Sequence, residues 1–378
     1  MNGVKLTYLA ALSAVQLSAV SVFSQELVSP TLASNHPAGN VEISITAVGD
    51  VMLGSWVTPV LAQRGAVYPF EASLPYLQSA DFTIANLEAP FTREGEPFEK
   101  KFNFKVPPEY ARGLKDAGID VVTLANNHIL DYGAIGLVST MATLDTFGIK
   151  YSGAGRNWRE AHQPTVVEIR GKRIAFFGYS TTFPTEFYAH GDSAGTAYPE
   201  AEAMQSALRE WDERADFVVA SFHWSAEKLE IPKAYQIELA HLAIDSGADL
   251  VLGHHPHVLQ GIEKYRSRLI AYSLGNFAFG SYSSYAVDSI ILKVYLNQDG
   301  LFYARCIPIN VNNSEVEFQP QILDGPGKQA VIAKLQKLSL DLNAGQNLLS
   351  DSGLIFGDWG QFYDTLSLSA TTDLTKRP

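Results

Sequence analysis

The segment Leu250-Val251-Leu252-Gly253-His254-His255-Pro256-His257 joins a short apolar run to three histidines within four residues. An apolar run of this length is typical of a buried strand. Alternate residues of an extended chain point the same way, so we expect His255 and His257 to face one crevice together. His254 is expected to point away from that crevice unless the turn bends the chain. The segment therefore predicts a strand that ends in a metal site.

Four other predicted strands also end in side chains that can ligate a metal. These residues are Asp50, Asn86 with Glu88, Asn127 with His128, and His223. In α/β sheets, ligands bind outside the carboxyl ends of the strands, because the loops converge there. Carboxylate and amide oxygens together with imidazole suit a divalent first-row metal, and they do not distinguish Mn, Fe and Zn. One carboxylate can bridge two ions about 3.5–4 Å apart, as in two-metal hydrolases.

Each of these residues also has a purely structural interpretation when it is taken alone. Asp50 and Asn127 are residue types that suit turns, and Glu88 suits a solvated loop. His128 and His223 could be packed histidines of the core. The histidine cluster, and the recurrence of one pattern at five strand ends, favour the metal site.

The chain around these motifs predicts a layered α/β fold, because short β-rich runs alternate with helical patterns. Strands are predicted over residues 43–48, 82–87, 121–125, 173–179, 217–222, 250–252 and 269–274. Helices are predicted over 108–117, 134–147, 201–215, 233–246 and 329–342, and a late hairpin over 287–295 and 302–309.

The composition narrows the classes of function. Cys306 is the single cysteine of the 378 residues, which excludes an intramolecular disulfide and a cysteine-based zinc cluster. A formal net charge of -12 disfavours a nucleic-acid partner, because an acidic surface repels phosphates. Any metal must therefore be bound by oxygen and imidazole donors.

The N-terminus predicts an exported protein. Lys5 precedes an uncharged, largely apolar run over residues 6–23, and Val22 and Ser24 suit the -3 and -1 positions of a cleavage site. Residues 1–24 are therefore a signal peptide or an uncleaved anchor, and 25–41 a polar linker. The protein is expected to be periplasmic, extracellular, or membrane-anchored facing outward, with membrane contact only through this segment. The main domain is predicted over 42–318, and a C-terminal extension over 319–378.

Six motifs, taken in order, resemble those of the CapA family. They are GDVM at 49–52, NLE at 86–88, ANNH at 125–128, FHW at 222–224, HPHV at 255–258 and SLGNF at 273–277. CapA proteins are poly-γ-glutamate capsule synthesis proteins and a branch of the calcineurin-like metallophosphatase superfamily. The resemblance implies an α/β calcineurin-like metallophosphoesterase fold, a two-sheet β-sandwich flanked by helices. Met52 and Glu88 depart from the first and second motifs of the wider superfamily and agree with the CapA pattern.

The resemblance also implies roles for individual residues. The implied metal ligands are Asp50, Glu88, Asn127, His223, His255 and His257, with Glu88 as the bridge between two ions. His128 is expected to act as general acid for the leaving group, since the pKa of histidine lies near the working pH. Asp131 is expected either to orient His128 or to cap the helix that follows.

Two basic stretches are candidates for holding an anionic substrate. The first comprises Arg93, Lys100, Lys101 and Lys105, and the second comprises Lys264, Arg266 and Arg268. Both follow strand ends of the predicted site, so they are expected to line the same crevice. The alternative is that they are solvated charged loops.

These features favour an exported, metal-dependent hydrolase-type protein that acts in the biosynthesis or processing of poly-γ-glutamate or a similar capsule polymer. The reaction would be hydrolysis or transfer at an amide or a phosphoester, and capsule synthase subunits are candidate partners. One alternative is a non-catalytic, membrane-tethered accessory subunit that binds polymer. Another is a phosphoesterase that acts on small phosphate esters.

Overall fold

The computed structural model describes residues 41–357. The predicted leader and all but the last residue of the predicted linker lie outside the described residues, as do residues 358–378. Within the described range, no helix has the length and apolar character needed to cross a membrane.

The strands and helices follow the predicted alternation along the chain. The strands are β1 Ile43–Met52, β2 Phe82–Leu87, β3 Val121–Thr123, β4 Lys150–Ser152, β5 Ala154–Gly155, β6 Thr165–Ile169, β7 Lys172–Ser180, β8 Gly195–Thr196, β9 Phe217–His223, β10 Leu250–His254, β11 Ile262–Tyr265, β12 Arg268–Ala271, β13 Asn276–Phe279, β14 Asp288–Asn297, β15 Gly300–Asn310, β16 Gln321–Ile322 and β17 Leu354–Phe356. The α-helices are α1 Thr58–Arg64, α2 Leu74–Leu77, α3 Ala111–Ala117, α4 Gly133–Phe147, α5 Trp158–His162, α6 Ala201–Asp212, α7 Ala234–Asp245, α8 Asn313–Val316 and α9 Gly325–Ser339. Five 3-10 helices cover Ser55–Val57, Tyr68–Ser73, Pro108–Tyr110, Thr185–Phe187 and Asp341–Asn343.

Two large sheets form the layers of the fold. The first has the strand order β16-β15-β14-β1-β2-β3-β4, with β13 also paired to β1 and β17 to β15. The second has the order β11-β12-β10-β9-β7-β6. Strands β1 to β4 are parallel, and so are β7, β9, β10 and β12 in the second sheet. Parallel neighbours require crossover connections, which helices supply for every one of these pairs except β10 and β12, where the chain returns through β11.

The two sheets pack face to face through one apolar core. Ile45 and Ile84 of the first sheet belong to the same buried cluster as Phe176, Val219 and Leu252 of the second. Burying each such side chain contributes about 1.5–3 kcal/mol, so this layer supplies a large share of the stability.

Helices cover the outer face of each sheet. Leu114 of α3 and Leu137 of α4 lie in a buried cluster with residues of the first sheet. Leu208 of α6 and Ala240 of α7 lie in a third cluster with residues of the second. The predicted α/β architecture, a two-sheet β-sandwich flanked by helices, is confirmed.

The described part of the predicted C-terminal extension packs against the sandwich. β16 and β17 both pair with β15, and Val331, Ile332 and Leu335 of α9 are buried in the core between the sheets. Helix α9 begins at Gly325, four residues earlier than predicted, because Pro326 fits the first turn of a helix, where its missing N–H is not needed.

Candidate metal centre

The site lies where the carboxyl ends of strands from both sheets meet. In the first sheet Asp50 is paired in register with Asn86 of β2 and with Asn276 of β13. In the second sheet His254, the last residue of β10, is paired with His223, the last residue of β9. The pairing thus brings the predicted strand-end side chains to one edge of the sandwich.

Asp50 and Glu88 are held together by the side chain of Asn86. The Nδ2 atom of Asn86 donates to Asp50 Oδ1 at 2.8 Å and to Glu88 Oε2 at 3.1 Å. Both carboxylates are fully buried. Asn126 Nδ2 in turn donates to Asn86 Oδ1 at 3.1 Å, which fixes the orientation of the Asn86 amide.

Gly49 allows Asp50 to reach this position. A Cβ atom at Gly49 would lie 1.9 Å from the carbonyl oxygen of Gly275, so no larger residue fits without a shift of the backbone. The Asp50 N–H donates to that same carbonyl at 3.1 Å. The close approach of the two strands therefore explains the glycine that precedes the aspartate.

The histidine segment turns sharply after β10. His255 has a φ of 93° and His257 a φ of 59°. Both values lie in the left-handed region, which residues other than glycine rarely adopt. The predicted shared crevice exists, but this bend in the backbone creates it, and not the alternation of an extended chain. The bend also leaves His254 beside the site, with its Nδ1 3.4 Å from Asp50 Oδ1.

The ligating atoms form two groups that share Glu88. One group comprises Glu88, His255 and His257, and the other comprises Asp50, Glu88 and His223, with the ligand atoms of each group within 4.8 Å of one another. His257 Nδ1 lies 3.1 Å from Asp50 Oδ2, so the two groups are contiguous. A carboxylate common to two ligand groups is the geometry that a bridging residue requires.

Asn127 is the remaining predicted ligand, and it contacts the same centre. Its Oδ1 lies 2.9 Å from His223 Nε2. The structure therefore brings together all six predicted ligands, three from each sheet.

Burial and mutual charge shift the pKa values of the centre strongly. Burial alone would raise the pKa of Asp50, but contacts with His254 and His257 outweigh it and hold the value well below the ordinary range. Burial raises the pKa of Glu88 well above its ordinary value, and the charge of Asp50 raises it further. Burial and the charge of His257 lower the pKa of His255 to about 3. The pKa of His257 moves the other way, to about 9, because Glu88 and Asp50 together outweigh its burial.

The donor set fits a divalent cation. Glu88 Oε1, His255 Nδ1 and both ring nitrogens of His254 are buried with no hydrogen-bond partner among residues 41–357. A buried polar atom without a partner costs about 1–3 kcal/mol, more when it is charged. A cation would satisfy Glu88 and His255 at once, and two carboxylates, an amide oxygen and imidazoles are suitable donors for Mn, Fe or Zn.

His128 and Asp131 form a second polar cluster next to the ligands. His128 Nδ1 donates to Asp131 Oδ2 at 2.8 Å, and the Phe104 N–H donates to the same oxygen at 2.6 Å. Helix α4 begins at Gly133 without a side-chain cap, so Asp131 contacts His128 and is not the cap. Burial lowers the pKa of His128, and Asp131 partly opposes that shift.

Lys100 is the basic residue of the first stretch that reaches this cluster. Its Nζ lies 2.5 Å from Asp131 Oδ1 and donates to the backbone carbonyl of Asn127. Burial lowers the pKa of Lys100, and Asp131 opposes the shift.

The other three residues of that stretch have contacts elsewhere. Arg93 pairs with Glu109 at 2.5 Å, and both side chains are exposed. Lys101 Nζ lies 4.9 Å from the ring centre of Phe102, and Lys105 Nζ 4.3 Å from that of Tyr132.

The second basic stretch does not line the crevice, so that part of the prediction is wrong. β12 runs parallel to β10. Its first residue, Arg268, therefore lies at the amino-terminal ends of the strands, whereas His254 lies at their carboxyl ends. There Arg268 pairs with Asp249 at 2.9 Å, and Arg266 pairs with Asp245 at 3.0 Å. Lys264 lies on β11 beside them. The stretch follows the histidine segment in sequence, but the chain returns along the length of β12 through β11 before it reaches Lys264.

Three further residues shape the centre and are not among the six ligands that the resemblance implies. They are Asn86, which holds the two carboxylates, Asn276, whose Oδ1 lies 2.9 Å from His257 Nδ1, and His254. Each belongs to a motif already recognised in the sequence. Pairing the strand ends in register would have placed both asparagines beside Asp50.

A family model matches a large part of the chain. The model of the bacterial capsule synthesis protein PGA_cap family matches residues 44–281. The capsule biosynthesis protein CapA of Bacillus anthracis is 30% identical over 306 residues, which cover 79% of this chain and 74% of that protein. The PGA biosynthesis protein CapA of Bacillus subtilis is 30% identical over 78% of each chain. A probable polyglutamine synthesis accessory protein of Mycobacterium tuberculosis is 27% identical over 74% of this chain and 88% of its own length.

Solved structures with a similar arrangement are more distant. The NAD nucleotidase of Haemophilus influenzae matches with a TM-score of 0.45 and 15% identity, over 89% of this chain and 61% of that one. A 5'-nucleotidase precursor from Thermus thermophilus matches with a TM-score of 0.45 and 16% identity, over 78% of this chain and 59% of that one. The chain thus spans less than two thirds of either nucleotidase.

Proposed function

Because the chain belongs to the bacterial capsule synthesis protein PGA_cap family, we propose that it is an exported, metal-dependent hydrolase-type protein that acts on poly-γ-glutamate or a similar anionic capsule polymer. The reaction is hydrolysis or transfer at an amide bond of the polymer. Two relatives whose names refer to capsule or PGA biosynthesis support the choice of polymer.

One observation carries the proposal: donors from both sheets converge on Glu88, whose Oε1 is buried and has no hydrogen-bond partner in the described structure. Asp50, Glu88, Asn127, His223, His255 and His257 would hold one or two divalent ions. Such an ion would polarise the scissile group and acidify a coordinated water.

The residues beside the ligands supply a proton to the leaving group. The Nδ1–H of His128 is held by Asp131, so the proton given to the leaving group is the one that Nε2 carries when the ring is protonated to the imidazolium. Departure of an amine requires a proton, and a positioned histidine is the usual donor. Asp131 holds the ring in one orientation, and the ion pair with Lys100 balances the charge of Asp131, which would otherwise repel an anionic substrate.

The exposed basic residues of the same loop attract the anionic polymer from farther away. Arg93, Lys101 and Lys105 belong to the same loop as Lys100, and in this proposal they meet carboxylates of the polymer farther from the centre. Their exposure makes the contribution one of long-range attraction, which weakens as salt is added.

Metal analysis and hydrolysis assays on the purified protein test the proposal. We expect bound divalent metal and release of glutamate or short oligomers from poly-γ-glutamate, with little activity on a generic phosphodiester. Asp50→Ala and His255→Ala should lose both metal and activity. His190→Ala, which removes an exposed histidine outside the centre, should retain both. A protein without metal, with activity unchanged in the two ligand variants, would refute the proposal.

A second candidate is a non-catalytic accessory subunit that binds polymer. Met52 favours it, because this buried side chain has a thioether, which accepts from the Gly54 N–H at 3.2 Å, in place of an imidazole. This candidate predicts polymer binding that survives EDTA together with no turnover at any metal concentration.

A further inference from the structure

A large cavity opens directly beside the metal centre. Its volume is about 1150 Å³, slightly above the usual range of ligand pockets, which is about 300–1,000 Å³. His255 lies in its wall, together with the loops that follow β7 and β9 and with helix α7. A substrate bound there would extend from the candidate ligands outward along α7.

The cavity carries charges of both signs. Glu227 and Glu238 line it, and so do Lys228 and Lys233. All four residues are exposed, and none has an ion-pair partner within the part of the chain that the structure describes. A wall built only to attract a polyanion needs no carboxylates, so the two glutamates point to a ligand that also bears positive charge.

Of the two glutamates in the cavity, Glu227 is the one whose charge acts on the candidate ligands. It raises the pKa of Glu88 and of His257, although burial is the larger influence on the pKa of both residues. Its neighbour Lys228 has its Nζ 4.3 Å from the ring centre of Tyr285. The Lys228 N–H donates to the carbonyl of Pro256 at 2.9 Å, which ties this loop to the histidine segment. Glu227 and Lys228 are thereby held at the mouth of the centre.

We propose that this cavity binds the amino-terminal end of a γ-linked glutamate chain, with the free ammonium at Glu227 and the α-carboxylate at Lys228 and Lys233. The inference rests on the proposed function and specifies which part of the polymer is recognised. An internal γ-linked unit offers a carboxylate and amides, whereas the amino-terminal unit offers an ammonium and a carboxylate on one carbon. That pair of charges is complementary to a cavity wall that carries both glutamates and lysines. A phosphate ester would instead be repelled by Glu227.

Calorimetric titration of the full chain with two γ-linked glutamate trimers tests the inference. One trimer has a free α-amino group and the other is Nα-acetylated. We expect the free trimer to bind about 10- to 100-fold more tightly, the range for one hydrogen bond between charged groups. Glu227→Gln should remove this preference, and Glu213→Gln, an exposed glutamate at the end of α6, should keep it.

The outcomes separate this inference from the proposed function. Equal binding of the two trimers to the wild-type protein overturns the inference, as does no binding of either trimer or an equal loss of both in Glu227→Gln. The titrations are run in EDTA, where the preference is read without turnover, and are then repeated with Mn²⁺. Absence of metal and of hydrolysis alongside an intact preference would refute the proposed enzyme and leave the binding site standing.

Discussion

Replacing Glu88 by glutamine should make the protein more stable without metal and insensitive to metal. In the metal-free protein, Glu88 is a buried carboxylate next to Asp50, and Oε1 has no hydrogen-bond partner among the described residues. Glutamine keeps the shape and the contact with Asn86 and removes the cost of a buried carboxyl group whose pKa is raised by burial and by Asp50. We therefore expect Glu88→Gln to melt at a higher temperature than the wild type in EDTA.

The stabilisation of the native state by bound metal sets the size of the expected change in Tm. A ligand at 100 times its dissociation constant stabilises the native state by about 2.7 kcal/mol. For a folded body of residues 41–357, the unfolding entropy is about 0.7 kcal/mol per kelvin, so this corresponds to a rise in Tm of about 4 °C. Because Glu88 belongs to both ligand groups, its loss should weaken both and reduce the rise to less than about 1 °C.

Differential scanning fluorimetry with and without Mn²⁺ or Zn²⁺ measures both effects. Glu263→Gln is the matched control, since Glu263 is also buried but bonds His241 and Tyr272 away from the centre. That variant should melt lower in EDTA and keep the full metal-dependent rise. The reasoning fails if Glu88→Gln shows the same rise with metal as the wild type.

Three further predictions concern catalysis, pH and backbone packing. His128→Gln should lower kcat about 10²–10⁴-fold with bound metal unchanged, measured by turnover and metal analysis; loss of the metal would contradict a role confined to proton transfer. Burial raises the pKa of Asp249 to about 6, so the native state binds more protons than the unfolded state between about pH 4 and 6, and stability falls as pH rises through that window. Asp249→Asn should remove about 2–3 kcal/mol of this loss of stability between about pH 4 and 6, measured by urea unfolding, and an unchanged loss would assign it to other groups. Gly49→Ala should lower the free energy of unfolding by about 1–3 kcal/mol through its clash with Gly275, while Gly327→Ala, in helix α9, should not lower it.

Sequence patterns predicted most of the fold, because apolar runs and helical periodicity are local properties. β2 has the predicted bounds, and the β14–β15 hairpin lies where the turn residues indicated. β10 extends to His254, two residues beyond its apolar run, because hydrogen bonding to β9 continues through His223. Strand ends depend on such neighbours, and neighbours cannot be read from a local pattern.

Sequence patterns predicted which residues form the candidate centre, but not the contacts among those residues. The CapA resemblance, now confirmed as family membership, indicated the strand-end residues. The bend at His255 and His257 could not be predicted, because non-glycine residues rarely adopt a positive φ. The sequence does not distinguish Lys100 from Arg93, since both are basic residues of one loop. The path of that loop brings Lys100 to Asp131 and Arg93 to Glu109.

The division of the candidate ligands between the two sheets has a consequence for the order in which the protein matures. Asp50, Glu88 and Asn127 belong to the first sheet, and the three histidines belong to the second. Neither layer by itself offers the complete set of donors, so a partly folded chain with only one layer formed would hold an ion weakly. We therefore expect tight binding of a metal to require the docking of the two layers, so metal binding would report that the sandwich has formed.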